Sequence, residues 1–590
     1  MTRRATRRRL FVGALIVLGL VSVLVVRLVD IQVVQAQTLN EQAADKRSIS
    51  NDIVGLRGDI YDAGGEVLAA SVLRYDLTAS PRMAVKSLTM TPEKGAELLA
   101  PILGIPAADI AASLRNAVAE DPDSDFIYLV KKVDVSTFEA AIALDIPWLY
   151  ADAQPARTYP NGAVAGNLVG FVGSANEPQA GLEMSEDSCL AGADGSEVYE
   201  RSEDGVRIPG SEVTTKQARQ GDDLVLTIDS DLQWYTQQTL AKYAQQYGAK
   251  WGIIVVQEVK TGRLVAVADY PSVDPNNVNA TAESEDPAWG SRAFTAPFEP
   301  GSTQKTLTMA SVLDAGLASP TTHVVTPYRL TTPEGADVND SSSHGTLNLT
   351  ATGVLEESSN TGMSQLGMLM SPEQRYEYMT RFGLGQPTAA GFLGEESGDL
   401  GTDTSGDGIP DWDAQTNLTT MFGQGMTTTA IQMASAYQTI GNGGVRLPVS
   451  LVAGCRLPDG TLTDVPSTEG TQVISAEAAR TTVDMLENVA TKGWLASKVA
   501  IPGYRVGIKT GTAQQPDGNG GYTKSYLVSM AGLAPADDPQ YVVSVNLADP
   551  VNMNTSAATA PIFRDVMTQV LKANRIVPSG SSSPDIPTEF

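Results

Sequence analysis

Glu299-Pro300-Gly301-Ser302-Thr303-Gln304-Lys305 opens a segment that reads as a helix, because Leu307, Met309, Val312 and Leu313 recur at helical spacing until Gly316. Ser302 and Lys305 stand three residues apart, so their side chains share one face of the first turn. A helix start offers unpaired N–H groups and a positive dipole, both favourable to an oxyanion. An amine beside a hydroxyl is a means of activating it as a nucleophile. Alone, the stretch reads first as an ordinary N-cap serine beside a solvated lysine, since Ser-x-x-Lys is common by chance. The remainder of the chain has to supply the missing groups.

With 590 residues there is room for two or three domains, and 42% hydrophobic with 18% charged residues is the composition of an ordinary globular protein. A net charge of −27 argues against nucleic acid as a partner. The charge is uneven: Arg3, Arg4, Arg7, Arg8 and Arg9 precede an apolar run from Leu10 to Val26, extended past Arg27 by Leu28, Val29, Ile31, Val33 and Val34. The run is long enough for one membrane crossing, and the arginines set the N-terminus in the cytoplasm. The expectation is a cytoplasmic tail at 1–9, a transmembrane helix at 10–30 and everything beyond on the outer side, in a single-pass cell-membrane protein. A signal peptide cleaved near Val34-Gln35-Ala36 is the rival. Cys189 and Cys455 could pair in an extracytoplasmic domain, but with no spatial proximity given by sequence they read first as two isolated thiols in different domains. His323 and His344 are not spaced as a zinc pair, so no metal and no cofactor is expected, and a Ser-His-Asp triad has few histidines to draw on.

Residues 31–50 read as a polar stalk. Arg57-Gly58-Asp59-Ile60-Tyr61-Asp62-Ala63-Gly64-Gly65-Glu66-Val67-Leu68-Ala69 is a strand, a Gly-Gly turn and a strand. Helical patterns follow from Pro92, capped by Thr91, and near 107–118 and 137–144, so 51–220 reads as a module of mixed strands and helices with little concentrated chemistry. Gln220-Gly221-Asp222-Asp223 marks a boundary. After it come a helix to about Tyr247 and the hairpin 251–259 and 264–268 around Lys260-Thr261-Gly262-Arg263. A long, mostly helical middle leads to strands at 504–511, 525–533 and 540–546, and a helix at 560–573 closes the order. That order predicts an α+β domain over 221–575, a five-stranded antiparallel sheet with helices on both faces. The Ser/Pro-rich residues 576–590 are expected to be disordered. Asp403-Thr404-Ser405-Gly406-Asp407-Gly408-Ile409-Pro410-Asp411-Trp412-Asp413 looks like a calcium loop, but Ala414 stands where the final glutamate belongs, and it reads as a solvated acidic loop.

Two further stretches bear on Ser302. Ser358-Ser359-Asn360-Thr361-Gly362 offers a hydroxyl to relay a proton and an amide to hold a substrate carbonyl. Lys509-Thr510-Gly511-Thr512, on an expected strand, offers backbone N–H groups, a cation and hydroxyls for a terminal carboxylate, and a glycine that lets a substrate backbone approach. Each is weak alone, reading equally as a polar turn or an ordinary strand end. In the order Ser302-x-x-Lys305, Ser358-x-Asn360, Lys509-Thr510-Gly511 they form a signature, and the chain resembles the penicillin-recognising serine enzymes.

More narrowly, nearly the whole chain is similar to class B penicillin-binding proteins, most of all the septal (FtsI-like) D,D-transpeptidases. Arg57-Gly58-x-Ile60-x-Asp62, Gly181-Leu182-Glu183, Leu226-Thr227-Ile228-Asp229, Gly423-Gln424-Gly425 and Asn442-Gly443-Gly444 carry the likeness beyond the triple. The resemblance implies that 51–220 is that family's pedestal, or dimerisation-type, domain and 221–575 its transpeptidase domain. It implies Ser302 as nucleophile, Lys305 as base, Ser358 as proton relay, Asn360 orienting substrate amide and Lys305, and Lys509, Thr510 and Thr512 on the substrate carboxylate. Gly511 lies against the substrate, and the N–H groups of Ser302 and Thr512 form the oxyanion hole. It also implies peptidoglycan stem peptides ending in D-Ala-D-Ala and β-lactams as ligands, with a membrane glycan polymerase (FtsW-like) and divisome proteins as partners. An elongation-type transpeptidase, a D,D-carboxypeptidase and a β-lactam-binding sensor are the alternatives.

Overall fold

Trp251–Glu258 and Leu264–Tyr270 are almost wholly apolar runs on either side of a tight turn, so they pair antiparallel and are buried on both faces. The computed structural model, which describes residues 3–35, 48–173, 176–200, 210–282, 288–516 and 521–590, extends this hairpin into a five-stranded antiparallel sheet. Its order is Leu264–Tyr270, Trp251–Glu258, Tyr541–Ala548, Tyr522–Ala534, Gly507–Pro516, which leaves the strand bearing Lys509 at one edge. Ser230–Tyr247, capped by Asp229 through Leu232 N (2.9 Å), packs with Thr559–Ala573 on one face. Ala430–Gly441, with all of its residues buried, covers the other face, and Ala476–Lys492 lies beside it and against the edge strand. The expected α+β sheet and its helices are therefore present.

The boundary near residue 221 is less of a break than the sequence suggests. A seven-stranded sheet runs across it in the order Leu462–Thr463, Val452–Arg456, Asp223–Leu226, Ile60–Tyr61, Val67–Ala79, Ile127–Val133, and Leu149–Thr158 also pairs with Val67–Ala79. Ile60–Tyr61 pairs parallel to Asp223–Leu226, a contact that no local pattern announces. Two of the stretches quoted above meet nearby. The buried Glu183 takes Arg57 Nε (2.6 Å) and Arg157 Nε (2.7 Å), and Asp62 accepts from Ser230 N (3.0 Å) and its hydroxyl (2.7 Å). A second core gathers Leu77, Leu99, Leu114 and Trp148 under the helices Pro92–Leu103, Ala107–Glu120 and Val135–Ile142.

Two compact units divide the chain, Met1–Leu56 with Gly192–Gly221, and Arg57–Ala191 with Asp222–Phe590. The smaller holds the helix Arg3–Val29, which includes the arginine cluster, and a sheet of Ser48–Ile53, Gly195–Glu200 and Val213–Lys216. The segment Arg7–Val34 is long and apolar enough to cross a membrane. Most of the expected stalk, and the alternative cleavage site at Ala36, fall on 36–47, outside the described residues.

Two expectations are corrected. Cys189 and Cys455 are joined as a disulfide across 266 residues, because the seven-stranded sheet brings together chain segments that sequence distance separates. Residues 576–590 are not a disordered tail. Ser579 and Ser581 bond Asp537 (2.6 Å) and Arg505 (2.7 Å), Asn488 donates to Ile586 O (2.8 Å), Thr350 N donates to Thr588 O (3.0 Å), and Phe590 stacks on His323. Ser579, Ser581, Ser583 and the Ile586 and Thr588 carbonyls are bonded to polar groups of the fold.

Candidate active site

The serine turn is built on glycines. Gly301 has φ +55°, and its N–H donates to Gly423 O (2.8 Å). A Cβ on Gly423 would sit 2.1 Å from Gly301 O, so this approach needs glycine. Gly301–Gln304 is one 3₁₀ turn, and it runs directly into the α-helix Lys305–Asp314. Thr303 Oγ1 donates to Pro300 O (2.7 Å) and the buried Tyr437 hydroxyl to Thr303 O (3.1 Å). Ser302 is therefore half-buried at the head of a fixed turn, and Lys305 below it is wholly buried.

The Ser358 loop lies between two short helices, Ala351–Glu356 and Asn360–Gly367. Ser359 caps the second through Gly362 N (2.9 Å), and Ser358 takes the left-handed φ of +60°. Lys305 Nζ donates to the Ser358 carbonyl and, at 3.3 Å, to its hydroxyl. Lys509 Nζ donates to the same hydroxyl at 2.9 Å and to Thr510 O at 3.1 Å. The three sequence stretches thus converge on one oxygen, Ser358 Oγ. The Ser302 hydroxyl makes none of these bonds.

Gly511 faces the serine turn: a Cβ there would lie 2.3 Å from Ser529 Oγ and 2.9 Å from Pro300 O. A Cβ on Gly301 would lie 3.4 Å from Thr512 C, so the edge strand passes alongside Ser302. Thr510 is half-buried and Thr512 exposed. Asn360, at the first position of its helix, donates its amide N–H to Asn339 O (2.9 Å).

Burial holds Lys305 well below the ordinary lysine value. The neighbouring Lys509 adds to the shift and Asp340 opposes it. Burial alone lowers Lys509 to about 7. Two amines in one dry pocket are therefore poised so that one is neutral and available as a base.

Three supporting residues were not singled out in the sequence. Asp340 underlies the Ser359-Asn360 turn, Tyr437 buttresses the serine turn, and Glu299 accepts from Gly425 N and from the Tyr522 hydroxyl, both at 2.9 Å. Burial pushes the Glu299 carboxyl up. Asp340 and Tyr437 reach the site from distant segments that no local motif marks, whereas Glu299 stands at the head of the serine stretch itself, where only its burial shows its role. The acidic loop at 403–413 closes on itself: Asp403 accepts from Gly406 N and Gly408 N, and Asp411 from Thr404 N and Ser405 N. Among the described residues no group of three or more His, Cys, Asp or Glu is arranged to hold a metal.

Residues 252–568 match the penicillin binding protein transpeptidase domain, and 52–226 the penicillin-binding protein dimerisation domain. The chain is 33% identical to the penicillin-binding protein PbpB of Mycolicibacterium smegmatis, over 97% of this chain and 91% of that one. It is 32% identical to the peptidoglycan D,D-transpeptidase FtsI of Escherichia coli, over 95% of this chain and 90% of that one. Among solved structures it is similar to a peptidoglycan synthetase from Bifidobacterium adolescentis (TM-score 0.72, 31% identity, 92% of this chain and all of that one). Penicillin binding protein 3 from Mycobacterium tuberculosis complexed with aztreonam is also similar (TM-score 0.70, 27% identity, the same coverage).

Proposed function

The chain belongs to the class B penicillin-binding proteins, and from that premise we propose that Ser302 is the nucleophile of its transpeptidation reaction, with Lys305 as base. The protein is a serine-type peptidoglycan D,D-transpeptidase and a penicillin target. The observation supporting the residue roles is the meeting of Lys305, which stands one turn after Ser302, with Lys509 at the Ser358 hydroxyl.

Neutral Lys305 takes the Ser302 proton as Oγ attacks the penultimate D-Ala carbonyl. The N–H groups of Ser302 and Thr512 hold the developing oxyanion, each worth about 3 kcal/mol in other acyl-transfer enzymes. The proton passes through Ser358 to the leaving D-Ala amine, the C–N bond breaks, and an ester to Ser302 remains. An amine of a neighbouring stem peptide attacks that ester and forms the new amide. Its proton leaves by the reverse route, and Ser302 regains its own. Lys509, Thr510 and Thr512 hold the donor carboxylate, Gly511 admits its backbone, and Asn360 orients its amide. A β-lactam enters the first half and stays as the ester.

Labelling with a fluorescent penicillin tests this. Ser302→Ala should remain folded and carry no adduct; a covalent adduct on that variant overturns the assignment. The likeness to FtsI supports a septal role, with the N-terminal helix as an anchor, its N-terminus cytoplasmic and the catalytic domain outside. An FtsW-like glycan polymerase and divisome proteins are the proposed partners. A fluorescent fusion should concentrate at the division septum; an even side-wall distribution would favour the elongation role.

A further inference from the structure

Asp340 is a buried carboxylate just past the short strand Asp337–Asn339. One oxygen accepts from Asn360 N (2.5 Å) and Thr361 N (3.0 Å), the first two N–H groups of the helix that follows Ser358-Ser359. The other accepts from the Ser359 hydroxyl (2.8 Å) and meets His344 Nε2 (2.9 Å). The second ring nitrogen of His344, Nδ1, lies 2.5 Å from Gly345 O. Both partners of the ring are acceptors, so the arrangement suits an imidazolium. The Tyr328 ring stands edge-on to it.

We propose that Asp340 is a positioning residue for the transfer reaction, fixing the turn that carries Ser358 and Asn360 and serving as a counter-charge to the Lys305 ammonium, with His344 as its proton-sensitive cap. The proposal rests on the reading of Lys305 as base. The charges facing each group are few. Lys305 senses Lys509, which disfavours its ammonium, and Asp340, which favours it; His344 senses Asp340 and Glu357. Burial and Lys509 make Lys305 easier to deprotonate, Asp340 pulls the other way, and protonated His344 partly cancels the Asp340 influence.

The test is the pH profile of the second-order acylation rate with a fluorescent penicillin, measured on the full chain in detergent. The acidic limb reports Lys305 losing its proton. Asp340→Asn keeps an acceptor for the helix N–H groups but removes the charge, so the ammonium loses its favourable partner. The limb should move to lower pH by on the order of one unit. His344→Gln keeps a donor toward Asp340 but cannot become cationic, and its limb should move to higher pH. A purely structural role would lower the rate and leave both limbs in place, which overturns the inference. If Asp340→Asn shows no cooperative melt, the partly exposed His344 site decides alone, and an unmoved limb there overturns it. Labelling of Ser302→Ala in the same series would instead refute the underlying assignment of the nucleophile.

Discussion

The Ser358 oxygen accepts from both lysines, so its acceptor sites are occupied and its own proton is the one group left to donate. Its left-handed backbone, held by the short helices on either side, costs on the order of 1 kcal/mol for a non-glycine residue. Ser358→Ala should keep the fold and slow acylation by roughly 10²–10⁴-fold, read as the rate of penicillin labelling. The two amines predict a bell-shaped profile. Lys305 must be neutral, so the rate rises as pH passes its lowered pKa; Lys509 must be charged to hold a carboxylate, so the rate falls above about 7. Lys509→Met should abolish the alkaline limb together with most carboxylate binding. The same shift bears on stability. Lys509 binds its proton less tightly folded than unfolded, so it costs stability below about 7. That cost is relieved as pH rises from there toward the ordinary lysine value, and the Met variant should show a flatter dependence of melting temperature on pH. That Lys305, Ser358 and Lys509 would meet was legible from the order of three motifs, each weak alone. Asp340 was not, since an acid followed by serines reads as a solvated loop until the fold buries it.

Among the elements, the edge strand Gly507–Pro516 does two jobs: one side pairs with Tyr522–Ala534 and the other runs past the serine turn. Gly511→Ala would push a methyl into Ser529 Oγ and Pro300 O, so acylation should fall by more than stability does, measured by labelling rate beside thermal melting. The helix Ala476–Lys492 depends on the last residues of the sequence. Its buried Glu487 holds Arg505 through three contacts of 2.6–3.0 Å and accepts from Ser583 (2.5 Å). Glu487→Ala should destabilise by about 3 kcal/mol in chemical denaturation, because it removes the main counter-charge of a buried guanidinium and leaves it Asp484 at 3.7 Å and the Ser581 hydroxyl. The five strands of the central sheet and the two terminal helices could be read from local periodicity in place and order, whereas the short strands His323–Thr326, Leu347–Thr350 and Val452–Arg456 lie in what reads as a mostly helical middle. The hairpin of Ile60–Tyr61 with Val67–Ala79 was legible as a strand, a Gly-Gly turn and a strand, but its parallel pairing with Asp223–Leu226 was not, since that partner lies far along the chain. The Ser/Pro-rich end was misread because composition records its polarity but not the acceptors and donors waiting for it.

For the molecule as a whole, one carboxylate and one covalent bond fasten distant segments of the larger unit. Glu183 gathers Arg57 and Arg157, and the disulfide closes a span of 266 residues. Removing the disulfide, as Cys189→Ser with Cys455→Ser, should cost about 2–5 kcal/mol and lower the melting temperature, with the acylation rate of the folded protein little changed. Two cysteines in a long chain could not announce their pairing, because only the mixed sheet makes them neighbours. The bond also imposes an order on biogenesis. On the outward topology proposed above, Cys189 leaves the ribosome long before Cys455, so the earlier thiol has no partner until most of the chain has crossed the membrane. Oxidation is then a late step, in a compartment able to perform it. A cell short of oxidising capacity would accumulate thiol-bearing copies of this protein, active but short-lived.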